Sequence, residues 1–385
     1  MMGRRVILLS HGFQAEYECG FANGLSRNGI QVTLVGSDTT HLTRLDSAVS
    51  VLNYRGSQDG DRTRWAKAIN LGRYMGRYFL LLLRTRGVPV HVIGLFTTGN
   101  PWLSLFEAWA TRLLAGRYAL TVHNLLPHDR HTRLNARLSR AIYRSATVCV
   151  VHTEKMRDEL GSRFGIHRER IVVVEHGIDR ALLQPGASHQ QLRTRFGLPA
   201  DAPVALFFGA IAPYKGIDVL LPAMDEVRRT LPAATVMIAG RCRSVSLMAW
   251  LHRELAPRVE SGAAFWLDGY LADDDVAPLF HAADLVVMPY RHIDQSGVVF
   301  MAIATGTPVV ASDVGSLSHY VQPPGLTVPA GSVPALASAI VRVMQQARPD
   351  RVGAQAQAQV QRFLWSQTLA SMSHVYDQHL LAQAA

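Results

Sequence analysis

A polar loop, residues 290–297, contains the side chains best suited to chemistry in this chain. It follows an apolar run, 285–288, and its last two residues, Ser296 and Gly297, open an apolar, helix-like segment. The free N–H groups at a helix N-terminus bind phosphate groups. The other polar members of the loop include Tyr290, Asp294 and Gln295. The loop is therefore predicted to bind a phosphorylated ligand.

Lys215 is a second candidate, because only three of the 39 Lys and Arg residues of the chain are lysines. It follows an apolar run, 204–208, that ends at Gly209, and a glycine there lets a ligand approach the backbone closely. An ammonium at the start of the next helix can reach a phosphate. Glycine or polar residues also follow the next two apolar runs, at Gly240, Arg241, Gly269 and Tyr270. We expect these positions to share one edge of a sheet.

Histidines follow two apolar runs of the first half, at positions 11 and 123. A histidine at a strand end can bind a ligand or exchange protons, and a hydrogen-bonded structural role is the alternative for each. The candidates for acid–base work are His11, His123, Asp129 and Asp294. The neighbouring candidates for binding on the side of the first half are Gly12, Phe13, Glu16, Asn124 and His128.

Several other chemistries are disfavoured. His11-Gly12-Phe13 stands where a dinucleotide-binding Gly-x-Gly-x-x-Gly would follow the first strand, and no P-loop exists. The histidines are scattered without metal-ligand spacing, so no metal is expected. The three cysteines are far apart in the sequence and are expected to be buried, reduced thiols.

Alternating strand-like and helix-like patterns must position these residues, and they predict two parallel, doubly wound sheets. The predicted strands of the first half are 5–9, 31–35, 90–95, 118–122, 147–151 and 170–174. Those of the second half are 204–208, 235–239, 264–267, 284–288, 308–311 and 325–328. A turn-rich stretch, 179–203, separates the halves, so we predict domains at 1–185 and 186–362.

The charge of +10 is concentrated in the first half. Residues 1–185 hold 25 basic and 14 acidic side chains, and the remainder holds 14 and 15. This asymmetry indicates an anionic partner, and a membrane surface, a nucleic acid and a phosphorylated substrate stay open. The predicted helix 65–83 mixes arginines with aromatic residues, which suits a membrane surface or an amphipathic helix packed on the sheet. Met1–Ser10 fits a first strand better than a signal peptide.

Together these segments resemble the GT-B glycosyltransferases, in particular the large family 4 of nucleotide-sugar-dependent enzymes. The resemblance covers most of the second half and is most specific at Gly306–Gly315, GTPVVASDVG. The other segments that carry it are HGID at 176–179, FG at 208–209 with KG at 215–216, IAG at 238–240, ADL at 283–285 with Pro289, FLW at 363–365, and TVH at 121–123.

The resemblance implies two Rossmann-like domains facing a cleft, with a C-terminal helix at about 363–385 that packs back on the first domain. It implies transfer of a sugar from a UDP- or GDP-sugar, with no further cofactor, to a glycan or lipid-diphosphate-linked acceptor. Lys215, Ser296, Gly297 and Arg241 would hold the diphosphate, and His123 would approach the donor sugar. Such an enzyme is expected in the cytoplasm, with peripheral contact on the inner face of an anionic membrane, in polysaccharide or glycoconjugate synthesis.

The sequence departs from the family pattern at three positions. Ala210 stands where the family usually has an arginine, and Ile293 and Met301 stand where it has two glutamates. The loop instead resembles that of a subset of the family with Asp-Gln-Ser-Gly, so Asp294 or Gln295 would replace the first glutamate near the sugar. The stereochemistry, retaining or inverting, stays open.

Two rival functions also remain. A nucleotide-sugar 2-epimerase of the same architecture would need no acceptor site and would leave the basic half unexplained. A nucleic-acid-binding protein would fit the charge, but the sequence has neither an aromatic stacking motif nor a recognition-helix signature. We therefore expect a protein that does not bind nucleic acid.

Overall fold

The computed structural model describes residues 4–12, 14–59, 61–94, 100–126, 132–179, 182, 184–293, 296–321, 326–346 and 360–381. The chain divides into two compact units, Met1–Gly177 with Phe363–Ala385, and Ile178–Arg362. The second unit begins at Ile178, so the predicted domain boundary between 185 and 186 lies a few residues inside that unit. None of the described helices is long and apolar enough to cross a membrane.

The first unit is built on a seven-stranded sheet in which every pair of neighbouring strands is parallel. Its order is β3-β2-β1-β4-β5-β6-β7. The strands are β1 (Arg5–Leu9), β2 (Gln31–Gly36), β3 (Ser50–Asn53), β4 (Val90–Val92), β5 (Tyr118–Thr121), β6 (Val148–Val151) and β7 (Ile171–Val173). The helices between them are α1 (Ala15–Arg27), α2 (Arg64–Arg84), α3 (Pro101–Ala115), α4 (Arg133–Ser145) and α5 (Glu154–Phe164).

Both faces of this sheet are covered, which is why its strands are continuous apolar runs. Ile7 and Leu9 of β1 lie in the core on one face, and Val6 and Leu8 lie in the core on the other. Helix α2 covers the first face through the buried side chains Tyr74, Tyr78 and Leu82. Helix α1 and the C-terminal segment cover the second face through Tyr17, Phe21, Leu25, Trp365, Leu369 and Met372.

The second unit has a six-stranded parallel sheet in the order β10-β9-β8-β11-β12-β13. Its strands are β8 (Val204–Phe208), β9 (Thr235–Gly240), β10 (Ala264–Asp268), β11 (Leu285–Met288), β12 (Val309–Ser312) and β13 (Thr327–Val328). Its helices are α6 (His189–Arg195), α7 (Ile217–Thr230), α8 (Val245–Glu260), α9 (Asp273–Ala282), α10 (Gly297–Thr305), α11 (Leu317–Tyr320) and α12 (Val333–Met344).

A buried ion pair fastens the start of this sheet. Arg193 of α6 is 2% exposed and donates a hydrogen bond to Asp284, and the same carboxylate accepts the N–H of Val204 at 2.7 Å. The guanidinium also donates to the carbonyls of Pro199, Ala200 and Ala202. The turn-rich stretch predicted from the sequence is thus held by one arginine against β8 and β11.

The prediction of two doubly wound parallel sheets is confirmed, with strand ends that agree to within a few residues. The short strand β3 and the helices α5, α6 and α11 were not predicted. The three cysteines are buried and form no disulfide.

The single last helix expected from 363 onward is wrong. The segment instead forms α13 (Trp365–Thr368), α14 (Met372–Tyr376) and a π-helical turn, Asp377–Leu381. The Trp365 ring lies against Gly20 and Gly177, where an added Cβ would come within 2.0 and 2.1 Å of ring atoms, and a Cβ at Gly24 would stand 2.9 Å from the Trp365 backbone oxygen. Close packing of an indole on backbone, rather than helical propensity, places this segment.

Candidate active site

In the second sheet the chain continues from β8 to β9 and β10 on one side, and then returns to add β11, β12 and β13 on the other side. The direction of the strand order therefore changes between β8 and β11. Doubly wound sheets bind ligands at the carboxyl ends of the strands at such a point. The loops that follow these two strands contain Lys215 and Ser296. The topology therefore brings the two strongest sequence candidates to one crevice of the second unit.

Lys215 lies in this crevice with its side chain 6% exposed. Its Nζ donates to the carbonyl of Phe208 at 3.1 Å and lies 5.3 Å from the centre of the Tyr290 ring. Among the described carboxylates, none forms an ion pair with it. Burial lowers the pKa of Lys215 to about 8, which is what a cation without a counter-charge shows. The geometry leaves this ammonium ready for an anionic ligand.

Glycines make room around the ammonium. Gly209 has φ 96°, and a Cβ there would stand 2.8 Å from Lys215 Nζ and 3.9 Å from the side chain of Val298. Gly240 has φ 147°, and a Cβ there would stand 2.0 Å from the carbonyl oxygen of Gly209. The ends of β8 and β9 and the first turn of α10 therefore meet at Lys215, and side chains at these glycines would close the space.

The N-terminus of α10 is the second anion-binding element. Ser296 caps the helix by accepting the N–H of Val298 at 3.3 Å, and an added Cβ at Gly297 would meet no atom within 4 Å. Arg291, earlier in the loop, pairs with Asp218 of α7 through two hydrogen bonds of 2.6 and 2.7 Å. That bidentate pair ties the loop after β11 to the helix that follows Lys215.

Tyr290 is fully buried at the start of the same loop. Burial raises the pKa of its hydroxyl, and the Ser296 hydroxyl beside it lowers that pKa in part. Its oxygen nevertheless makes no hydrogen bond of good geometry to any described residue. The Tyr290 ring thus faces the ammonium of Lys215.

Three of the predicted donor-side residues lie at the same sheet edge without a described contact to Lys215. The Arg241 side chain is exposed, and its backbone carbonyl accepts the N–H of Ile211. Gly269 follows β10 with φ 121°, and Tyr270 beside it is 81% exposed and donates to Asp273 at 2.7 Å. Asp294 and Gln295 lie outside the described residues, as do Phe13, His128 and Asp129.

In the first unit the strand order reverses between β1 and β4, and His11 follows β1 there. Its backbone is left-handed, φ 55°, which is strained for a residue other than glycine, and Gly12 follows at φ 72°. Its Nδ1 lies 2.7 Å from the Tyr74 hydroxyl and 3.5 Å from a carboxylate oxygen of Glu107 on α3. Burial, with the nearby Arg55 charge, lowers the pKa of His11 to about 3. The imidazole is thus neutral at physiological pH.

His123 follows β5, the strand next to β4 in the first sheet. Its Nε2 donates to the carbonyl of Ile93 at 2.6 Å, and its ring packs edge-on to Tyr17 with centroids 4.7 Å apart. Burial lowers the pKa of His123 to about 4 despite this hydrogen bond, which favours the charged form. A neutral imidazole held by a backbone carbonyl is a positioning group and a weak base.

The remaining first-unit candidates are engaged elsewhere. Glu16 pairs with Arg44 and lies 3.5 Å from Nε2 of His41. Asn124 is half-buried, and its backbone carbonyl accepts a hydrogen bond from the Tyr143 hydroxyl. The described contacts do not join either residue to His11 or His123.

Sequence reasoning missed several groups near these sites. His91, His152 and His176 belong to the same aromatic cluster as His123 and Tyr17. The signal was available, because His152 and His176 follow strands just as the two predicted histidines do. A groove of about 350 Å³ beside the Arg291–Asp218 pair was also missed, and its lining residues are Pro213, Tyr214, Ile217, Asp218, Leu247, Trp250, Arg291 and His292.

Within the described part of the chain, no group of three or more His, Cys, Asp or Glu side chains is arranged to hold a metal ion. The chemistry that the second unit offers is therefore a buried ammonium, a helix N-terminus and glycine-lined strand ends.

Family models and a solved structure show which known proteins this chain resembles. Two family models match the chain, Glycosyltransferase Family 4 over residues 17–182 and Glycosyl transferases group 1 over residues 202–346. HepE of Anabaena, solved in complex with UDP-glucose, superposes with a TM-score of 0.73 at 17% identity, over 97% of this chain and 99% of that one. The fold is therefore GT-B, with two Rossmann-like parallel-sheet units.

Curated relatives agree with the family. A D-inositol 3-phosphate glycosyltransferase of Streptomyces bingchenggensis is 31% identical over 238 residues, 59% of this chain and 52% of the relative. A 2-deoxystreptamine glucosyltransferase of Streptomyces kanamyceticus is 29% identical over 278 residues, 68% of this chain and 70% of the relative. The chain is thus similar, in its two halves, to family 4 and group 1 glycosyltransferases. It spans 52% to 60% of the length of the first three relatives.

Proposed function

We propose that this protein transfers a sugar from a nucleoside-diphosphate sugar to an acceptor hydroxyl. The observation that carries the proposal is Lys215, a buried ammonium without a described carboxylate partner, placed where the strand order reverses and beside the N-terminus of α10. A diphosphate is the ligand that matches such a charge and such free N–H groups. The names of the relatives and the UDP-glucose bound to HepE support the same ligand class.

In this reaction the main role of the protein is to stabilise the leaving group. The bond between the anomeric carbon and the diphosphate oxygen breaks, its electron pair goes to that oxygen, and the acceptor oxygen forms the new bond as it loses its proton. Lys215, Ser296 and Gly297 would stabilise the negative charge that develops on the diphosphate. Arg241 is proposed as a second contact, from the exposed end of β9, and Asp294 or Gln295 as a contact to the sugar.

The acceptor proton needs a base, and the first-unit histidines are poor ones. A conjugate acid with a pKa of about 3 or 4, as for His11 and His123, leaves a base too weak to deprotonate a hydroxyl efficiently. We therefore propose that these two imidazoles position substrate and that the departing diphosphate takes the proton, which corresponds to retention of configuration. Asp129 stays the alternative base for an inverting reaction.

The donor, the acceptor and the cellular role are proposed as follows. A UDP- or GDP-sugar is proposed as donor, with no cofactor besides. A glycan or lipid-diphosphate-linked acceptor is proposed from the basic first half, together with a place on the inner, cytoplasmic face of a membrane and a role in polysaccharide or glycoconjugate synthesis. Neither the epimerase nor the nucleic-acid binder gains a specific observation from the structure.

The test replaces Lys215 and follows both binding and transfer. Lys215→Ala is expected to abolish thermal stabilisation by nucleoside diphosphates and to lower turnover roughly a hundredfold or more, since one electrostatic contact to the developing charge is lost. Lys155→Ala is the matched control, because Lys155 is an exposed lysine of the other unit. Turnover of Lys215→Ala near that of Lys155→Ala would refute the assignment.

A panel of nucleotide sugars, each with and without acceptors, completes the test. Thermal stabilisation by one donor identifies the base and the sugar. A product that carries the sugar on an acceptor supports transfer, whereas conversion of the donor to an isomer in the absence of any acceptor would favour the epimerase.

A further inference from the structure

Helix α3 presents its apolar side outward. Trp102, Phe106, Trp109 and Leu113 are 60%, 62%, 62% and 76% exposed. At about 100° per residue these four positions fall within roughly 60° of arc and form a stripe about 16 Å long. We call these four residues the α3 stripe.

The opposite side of α3 is the side that packs on the unit. Its buried residues are Glu107, Ala108 and Thr111, two of which are polar. Thr111 donates to the carbonyl of Glu107 at 2.8 Å and contacts the buried hydroxyl of Tyr78, and Glu107 lies beside His11. The orientation of the helix is therefore fixed by these polar contacts, and the α3 stripe is not an accident of loose packing.

Positive charge surrounds the stripe. Residues 62–153 contain 14 Lys and Arg and two acidic residues, Glu107 and Asp129. Helices α2 and α4, which pack against α3, add exposed basic side chains. These are Arg64, Lys67, Arg73, Arg77 and Arg84 on α2, and Arg133, Arg137, Arg140 and Arg144 on α4.

We propose that the α3 stripe docks this protein on an anionic lipid bilayer, with the stripe in the boundary between headgroups and acyl chains. The proposal rests on the proposed function and gives its membrane contact a defined surface. Tryptophan and phenylalanine beside arginines form the side-chain combination that settles at this boundary. A second copy of the chain would bring the same basic surface against itself, so like charges oppose a dimer through this face, whereas acidic headgroups complement it.

This surface differs from the one that the sequence indicated. Helix α2 was the candidate, yet its Tyr74 is fully buried and Phe79 packs against the core, so its aromatic face belongs to the interior. The exposed apolar residues of α2 are Trp65 and Ile69 in its first two turns, and Leu80 and Leu83 near its end. Helix α2 contributes charge to the docking surface, and α3 contributes the inserting side chains.

The experiment measures flotation of the full chain with vesicles of zwitterionic lipid, with and without an anionic lipid, in the absence of any donor. Binding is expected with anionic vesicles, together with quenching of tryptophan fluorescence by brominated acyl chains. The triple variant Trp102→Ser, Phe106→Ser, Trp109→Ser is expected to lose binding by at least about tenfold for each side chain, from the apolar area returned to water. The control is Leu42→Ser with Val245→Ser, two residues that are 65% and 88% exposed elsewhere.

Several outcomes would overturn the proposal. It fails if the wild-type chain floats with neither vesicle, or if the triple variant binds as tightly as the control. It also fails if the wild type is a dimer without lipid that the triple variant converts to a monomer, since the stripe would then be a protein interface. Hydrogen-exchange protection of β4, β5 and β6 equal to that of the wild type reports that the first unit of the triple variant is folded. Lys215→Ala is expected to keep vesicle binding, so failure of the donor site and failure of the docking surface are distinguishable.

Discussion

Acidification should unfold the first unit while the second unit remains folded. His91, His123 and His152 are 0%, 9% and 0% exposed, and all three are held by neutral partners. Burial lowers the pKa of His91 to about 3 and of His123 to about 4. Burial also lowers the pKa of His152 well below its usual value, aided by the charges of His123 and His176. Burial also lowers the pKa of His11 and of His176, in the same unit, to about 3.

The direction follows from proton binding. Because the folded state keeps these imidazoles neutral, only the unfolded chain takes up protons as the pH falls below about 6.5. Stability is therefore complete above that pH and is lost progressively toward the folded pKa values near 3 to 4. At about pH 5 each group costs about 2 kcal/mol, so the three together cost about 6 kcal/mol, which is comparable to the whole stability of many domains.

Hydrogen exchange read by mass spectrometry can follow the two units separately. Peptides from β4, β5 and β6 report the first unit, and peptides from β8 and β9, which contain no histidine, report the second. After correction for the intrinsic pH dependence of exchange, protection of the first set should fall steeply between about pH 6.5 and pH 5. Protection of the second set should change much less.

Two variants sharpen the prediction. His91→Gln should lower the slope of stability against pH by about 1.4 kcal/mol per pH unit, because one titrating imidazole is gone. The exposed His167→Asn is the matched substitution and should leave the slope as in the wild type. Equal loss of protection in both units, or a wild-type slope in His91→Gln, would refute the reasoning.

Three further predictions concern the second unit. Gly216→Ala should destabilise the unit by more than about 1 kcal/mol in chemical denaturation, because φ is 72° and a Cβ would stand 2.0 Å from the Pro289 carbonyl oxygen; stability equal to wild type would contradict this. Asp284→Asn should cost about 3 kcal/mol in the same assay by leaving buried Arg193 without its counter-charge, and a loss below about 1 kcal/mol would contradict it. Nucleoside diphosphate affinity should fall about tenfold for each pH unit above about 8, as Lys215 loses its proton, whereas a flat calorimetric profile up to pH 10 would show that the ammonium is not used.

The sheets could be predicted because apolar runs bounded by glycine and proline report strands wherever both faces of a sheet are buried. The edge strand β3 was not predicted, since Ser50 and Asn53 are exposed and only its two central residues are half-buried. The C-terminal segment was expected to be one helix from the family resemblance. Contacts of Trp365 with three glycines from distant parts of the chain decide its path, and no local pattern contains them.

The candidate site divides in the same way. Lys215 and the N-terminus of α10 were predictable because strand ends of a parallel sheet share an edge, whatever the details of the loops. The Arg291–Asp218 pair was not, because its members are 73 positions apart and each is an ordinary surface residue in sequence. The positions of the histidines at strand ends can be read from the sequence, but their neutral state cannot, since it depends on the surrounding rings and backbone carbonyls.

Helix α3 shows why the outward face of a helix is the least predictable feature of all. An apolar stripe on a helix normally marks the face that packs inward. In α3 the polar residues Glu107 and Thr111 find buried partners in His11 and Tyr78, so the polar side turns in and the aromatic side turns out. One helix thus joins the strained histidine of the candidate acceptor side to the surface proposed to meet lipid. A lipid-linked acceptor would then be presented next to the residues that must position it.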